Sequence, residues 1–219
     1  MKKLLVIVFA VFFANAALAA DSRSSKASAS SNASSNSSYS NASSTPDDSS
    51  GWQANAKIHM SSFKAGGASK SNTPFSIGIG KGIMKNNTGN VLLEASLMTG
   101  EKYDYDFGWG LNWKFQAEMK MAAFASLYYQ LNVASIAALK PYVGAGLGLA
   151  QLKYTSSGWY YGDSSTSGIG FAWQFALGAD YFFNKNIAAG LGYAIRDYGS
   201  LEGLKMQSSG LFLGATYKF

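Results

Sequence analysis

The sequence predicts an all-β chain, with about eight antiparallel strands closed into a barrel that crosses a membrane behind a disordered Ser-rich segment. Three observations predict it. From Trp52 to Phe219, apolar and polar residues alternate with period two, the strand signature. The alternating segments are joined by connections that are short and long in turn, as at the two rims of a transmembrane barrel. Ahead of them stands a leader with the marks of an export signal.

The leader comes first in the chain. Lys2 and Lys3 form a charged start, Leu4 to Phe13 is an unbroken apolar run, and Ala17-Leu18-Ala19 supplies a small-x-small cleavage pattern. Residues 1–19 are therefore expected to be removed, with Ala20 as the neighbouring cut. The run is shorter than the roughly 20 residues of a spanning helix. With 0 Cys in the chain, neither a lipid-anchored Cys nor a disulfide is available. From Ser22 to Ser50, 15 of 29 residues are Ser. Such a stretch has little to bury against its ordering entropy, so residues 20–51 read as a disordered linker. Its expected place is the periplasm and its expected role a spacer, with contact to peptidoglycan or a glycan coat as the alternative. At Gly51-Trp52 the texture changes, and 52–219 is the barrel.

Eight segments follow. Trp52, Ala54, Ala56, Ile58 and Met60 alternate with Gln53, Asn55, Lys57, His59 and Ser61. Phe75, Ile77 and Ile79 alternate with Ser76, Gly78 and Gly80, and Val91 to Leu97 with Leu92 to Met98. In Phe115–Leu131 the odd positions are mostly apolar, and Gln116, Glu118, Lys120, Ser126 and Gln130 are even. Met121–Leu139 lacks charge, yet its alternation and its Gln, Asn and Ser residues argue against a spanning helix. Val143–Ala150, Ile169–Asp180, Ile187–Arg196 and Leu211–Phe219 complete the set. Short turns are expected at Lys85–Asn90 and Asn184–Asn186. Long loops are expected at Lys64–Thr73, Gly100–Lys114, Tyr154–Ser167 and Tyr198–Met206. The prolines Pro46, Pro74 and Pro141 avoid strand interiors.

The polar face carries many glycines and scattered charges, which suits the narrow inside of a small barrel better than a solvated outside. Aromatic residues gather at segment ends, as in the interface girdles of a membrane barrel. Trp109, Trp113, Tyr154, Trp159 and Tyr198 lie toward the long loops, and Trp52, Tyr129, Tyr181, Phe182, Phe183, Tyr217 and Phe219 toward the short turns. Lys57, His59, Glu94, Glu118, Lys120, Asp180 and Arg196 are then expected inside, as a network of ion pairs and hydrogen bonds. An eight-stranded interior is just wide enough for side chains to fill, so a plug is favoured over a gated pore. His59 is the only His, and no hydrolase motif surrounds it. No catalytic residue, cofactor or metal site is expected. The net charge of +6 is spread without a Lys/Arg cluster, which gives no sign of nucleic acid. Tyr103, Tyr105 and Trp109, with Trp159, Tyr160 and Tyr161, lie in two long loops. That composition suits either a recognition surface or an interface belt.

Several strings resemble the opacity-type outer-membrane barrels related to the OmpA transmembrane domain. Leu127-Tyr128-Tyr129 followed by Lys140-Pro141-Tyr142-Val143-Gly144-Ala145-Gly146-Leu147-Gly148 looks like a stretch of that family, and Ala189–Tyr193 with Asp197-Tyr198-Gly199 its seventh strand. Leu211 to Phe219 resembles the terminal signal read by the outer-membrane assembly machinery, with Tyr217 and Phe219 as its aromatic residues. The resemblance implies an outer-membrane location among lipid and lipopolysaccharide. It is specific for fold and place rather than activity. A structural or surface-exposed role, as antigen or adhesin with a surface or host ligand, is favoured; a narrow passive channel is the alternative.

Overall fold

A computed structural model describes residues 51–86, 88–107, 113–133, 138–158 and 162–219. They form nine strands and no helix: β1 (Trp52–Ala65), β2 (Ala68–Asn72), β3 (Phe75–Lys85), β4 (Gly89–Phe107), β5 (Trp113–Leu131), β6 (Leu139–Gly158), β7 (Gly162–Phe182), β8 (Ile187–Leu201) and β9 (Leu204–Lys218). Every pairing is antiparallel, and each strand from β3 to β9 pairs with the next. β1 then pairs with β9 from Gln53↔Lys218 to Ala65↔Met206, closing the sheet into a ring.

The expected count of eight becomes nine for a local reason. β1 pairs with β3 from Trp52↔Lys81 to Ile58↔Phe75, and with β2 from Ser61↔Asn72 to Ala65↔Ala68. β2 and β3 thus share one place in the wall, divided at Thr73-Pro74. Pro74 has no N–H to give the ladder, although its carbonyl still accepts from the His59 amide at 2.9 Å.

The eight alternating segments are all strands, but the long loops are largely strand as well. β4 runs on to Phe107 and β6 to Gly158, while β1–β2 and β8–β9 turn tightly at Gly66-Gly67 and Glu202-Gly203. All four of these turn residues have positive φ, as two-residue hairpins require. At the opposite rim, Asn86 Oδ1 accepts from the Thr88 and Gly89 amides, and Asn184 Oδ1 from those of Asn186 and Ile187. These side chains set the short turns.

The wall changes character along its height. Toward the short turns its outer face is apolar: Leu147, Leu149, Phe171, Leu177, Leu191 and Leu213 are exposed. Trp52, Tyr181, Phe183 and Tyr217 form the outward aromatic girdle at that rim. Toward the tight hairpins the outside becomes polar, with Lys70, Lys102, Asp104, Lys120 and Lys205 exposed, while the inside becomes an apolar cluster around Phe63, Tyr103, Met119, Leu152 and Met206. The girdle expected at this second rim is not assembled as read. Tyr198 is fully buried, and Trp109 and Trp159 lie outside the described residues.

The inside of the wall is close to the packing limit at Gly144, where a Cβ would run into the Tyr128 ring. We expect Gly144→Ala to destabilise the barrel by about 1–3 kcal/mol, read as a lower urea midpoint in detergent. Ala145→Val, on the outer face, should leave the midpoint nearly unchanged. Equal midpoints for the two variants would contradict the facing of β6.

Candidate functional site

The alternation of β1 stacks Lys57, His59 and Ser61 inside the barrel, where Lys57 and Ser61 meet β4 and His59 meets β3 and β8. Lys57 Nζ lies 3.0 Å from Glu94 Oε1 on β4. The other Glu94 oxygen accepts from Asn55 Nδ2 at 2.7 Å. Lys57 also sits 5.4 Å from the Tyr128 ring centroid and 5.8 Å from that of Phe212, a cation–π setting. These rings belong to a lower apolar cluster with Leu92, Tyr142, Ala176 and Ala194.

One step along β1, His59 bridges two groups. Arg196 Nη2 lies 3.0 Å from Nδ1, and Nε2 lies 2.8 Å from Ser76 Oγ. A guanidinium only donates, so Nδ1 accepts and Nε2–H donates to Ser76. Nucleophilic activation would need the reverse, an acid on Nδ1 and a proton-accepting Nε2. Arg196 Nε also donates to Gln174 Oε1 at 3.3 Å, and Gln174 in turn donates to Ser126 Oγ at 2.8 Å. Above this, Ser61 Oγ donates to Glu101 Oε1. Tyr198 donates to Glu101 Oε2 at 2.8 Å and receives the Ser208 hydroxyl at 3.1 Å. Nearer the turn rim, Gln130 donates to Asp180 at 3.2 Å. Among the described residues no group of three or more His, Cys, Asp or Glu is placed to hold a metal ion.

Five of the seven charged or titratable positions read as inward therefore lie inside: Lys57, His59, Glu94, Asp180 and Arg196. Glu118 and Lys120 do not. Ala117 and Met119 are fully buried in the upper cluster, which puts Glu118 and Lys120 on the outer face. The cause is an irregularity in β5 between Met119 and Met121, matched in β4 at Gly100, where the paired positions pass from Thr99↔Met121 to Glu101↔Met119. A Cβ at Gly100 would stand 2.6 Å from the Met119 carbonyl oxygen, so this approach needs glycine. The shift turns Glu101 and Tyr103 inward. Glu101 was hidden in an expected loop, and the interior glycine of a strand was the signal that could have found it. Tyr103, expected on a recognition loop, is 7% exposed and packed in the upper cluster. The Tyr105 side chain, Trp109, Trp159, Tyr160 and Tyr161 lie outside the described residues.

On the outside of the hairpin wall, Asp104 is bound by Lys102 at 3.0 Å, Lys70 at 3.2 Å and Gln116 at 2.7 Å. Partial burial pushes its carboxyl up, but the hydrogen bonds from Lys102, Gln116 and Lys70 outweigh this and hold it below the usual range. Stability from this clip is thus present above the ordinary carboxylate pKa of about 4 and is lost as pH falls through the lowered value. We expect amide exchange in β2 and the end of β4 to speed up below about pH 4, and Asp104→Asn to remove that step.

A second expectation concerns the buried pair. Glu94→Gln leaves Lys57 without its counter-charge and is expected to cost about 3–5 kcal/mol in urea unfolding. The double variant Lys57→Met/Glu94→Leu should cost less than Glu94→Gln. If it costs more, the pair itself stabilises the fold.

Comparison with known proteins gives the same architecture. Residues 5–219 match the family described as the outer membrane protein beta-barrel domain. Among solved structures, Neisserial surface protein A is 20% identical with a TM-score of 0.56, covering 78% of this chain and 98% of that one. OprG from Pseudomonas aeruginosa is 17% identical with a TM-score of 0.47, over 80% and 98% of the chains. The attachment invasion locus protein of Yersinia pestis, in complex with sucrose octasulfate, is 16% identical with a TM-score of 0.47, over 77% and 99%. No match was found among curated proteins. The family match spans the whole ring of strands, and this chain belongs to the outer membrane protein beta-barrel domain family.

Proposed function

We propose that this outer-membrane barrel is closed to solutes and serves at the cell surface, as a structural or contact-making protein whose tight hairpins project outside. One observation carries the reading: the interior is filled. An apolar cluster occupies the hairpin end, a second lies toward the turn rim, and hydrogen-bonded layers fill the space between them. The cavity within those layers is about 20 Å³, room for about one water. The apolar cluster of the hairpin end stands inside a polar outer wall, as in a water-soluble β-barrel, which supports a rigid platform beyond the lipid. Its partners in this reading are lipid and lipopolysaccharide around the wall, a surface or host ligand at the hairpin ends, and the assembly machinery at Tyr217 and Phe219.

The refolded full chain is expected to leave a planar bilayer silent, with folding checked by heat-dependent gel mobility. Steady, discrete channels would overturn the closed reading in favour of the narrow passive channel. The contact role is tested by exchanging residues 108–112 and 159–161 for Gly and Ser. Removing all of Gly100–Lys114 would also take out Glu101 and Tyr103, which fill the interior. The exchanged chain should fold and lose attachment of displaying cells to host surfaces. Unchanged attachment would contradict it.

A further inference from the structure

The interior holds a second cation besides Lys57, and its charge is not matched. Arg196 is 3% exposed, and its protein partners, Gln174 Oε1 and His59 Nδ1, are both neutral acceptors. Its Nη1 is buried and meets no protein acceptor. The inward carboxylates are engaged elsewhere: Glu94 by Lys57 and Asn55, Asp180 by Gln130, and Glu101 by Ser61 and Tyr198. Among the described residues no ion pair includes Arg196. Burying a guanidinium against neutral groups alone is costly.

Arg196 also lines the cavity of about 20 Å³, together with Lys57, His59, Ser76, Gln174 and Glu94. His59 is neutral, because its Nδ1 accepts. The charged lining groups are then two cations and one carboxylate, an excess of one positive charge. The volume of about 20 Å³ suits one small occupant better than sulfate, phosphate or an organic acid. We propose that this cavity binds one small monovalent inorganic anion of chloride size, with Arg196 as its main ligand and Lys57 as the second charge. The site is independent of the role played by the hairpins. It would compensate the buried guanidinium and stabilise the middle of the barrel.

The test uses the refolded full chain in detergent. Crystals soaked in bromide should show an anomalous peak beside Arg196. Urea unfolding in chloride, against gluconate at equal ionic strength, should shift to higher urea. At about ten times the dissociation constant, chloride raises the folded-to-unfolded ratio about eleven-fold, and Arg196→Gln should abolish that difference. Sulfate should behave like gluconate. If Arg196→Gln does not fold, the bromide peak and the chloride effect in the unaltered chain decide together. Equal midpoints in chloride and gluconate, no bromide peak at Arg196, or a chloride effect that survives in Arg196→Gln would each overturn the proposal and leave water in the cavity.

Discussion

The structure depends on one constraint: in lipid, every backbone N–H and C=O of a strand must find its partner within the protein. An open sheet cannot meet it, and the β1–β9 ladder from Gln53↔Lys218 to Ala65↔Met206 removes the edges. Closure at this strand number fixes a narrow interior, and the contents follow from that width. Rings at Tyr128 and Phe212 fit because Gly144 and Gly192 face them. The remaining space is taken by layers in which Lys57 meets Glu94, and Ser61 and Tyr198 meet Glu101.

A second constraint acts along the height of the wall. In lipid the apolar side must face out, whereas in water it must face in. β6 makes the change through its residues alone, as outward Leu147 and Leu149 give way to Gln151 and Lys153 while Leu152 turns inward. β4 and β5 make it by shifting phase at Gly100 and Lys120. The upper part of the wall thereby becomes a continuation of the barrel with an ordinary apolar core, which is why segments that look like loops are strands.

Much of this was legible in the sequence. The apolar stripes of β1, β6, β7 and β9 face as the alternation implies, because no irregularity interrupts their phase within the apolar band. Lys57, His59, Glu94, Asp180 and Arg196 were found for the same reason. Glu118 and Lys120 were misplaced because Ala117, Met119, Met121 and Ala123 form one unbroken odd-numbered stripe in the sequence. The phase shift sends its two halves to opposite faces. Period-two reasoning carries no information about such a shift. Nor could it pair Arg196 with His59, 137 positions apart, or distinguish a long hairpin from a loop where the outer face turns to Ser and Lys.

Electron paramagnetic resonance of spin labels tests the inversion of the wall at the Gly100–Lys120 level most directly. Single labels at Leu127, Leu147, Glu118 and Lys153, in the barrel reconstituted into liposomes, would be compared for collision with oxygen and with a water-soluble nickel chelate. Oxygen-dominated relaxation is expected at Leu127 and Leu147, and chelate-dominated relaxation at Glu118 and Lys153. A label at Glu118 shielded from both reagents would place that residue inside the barrel and contradict the phase shift. One dominated by oxygen would put the lipid boundary above it.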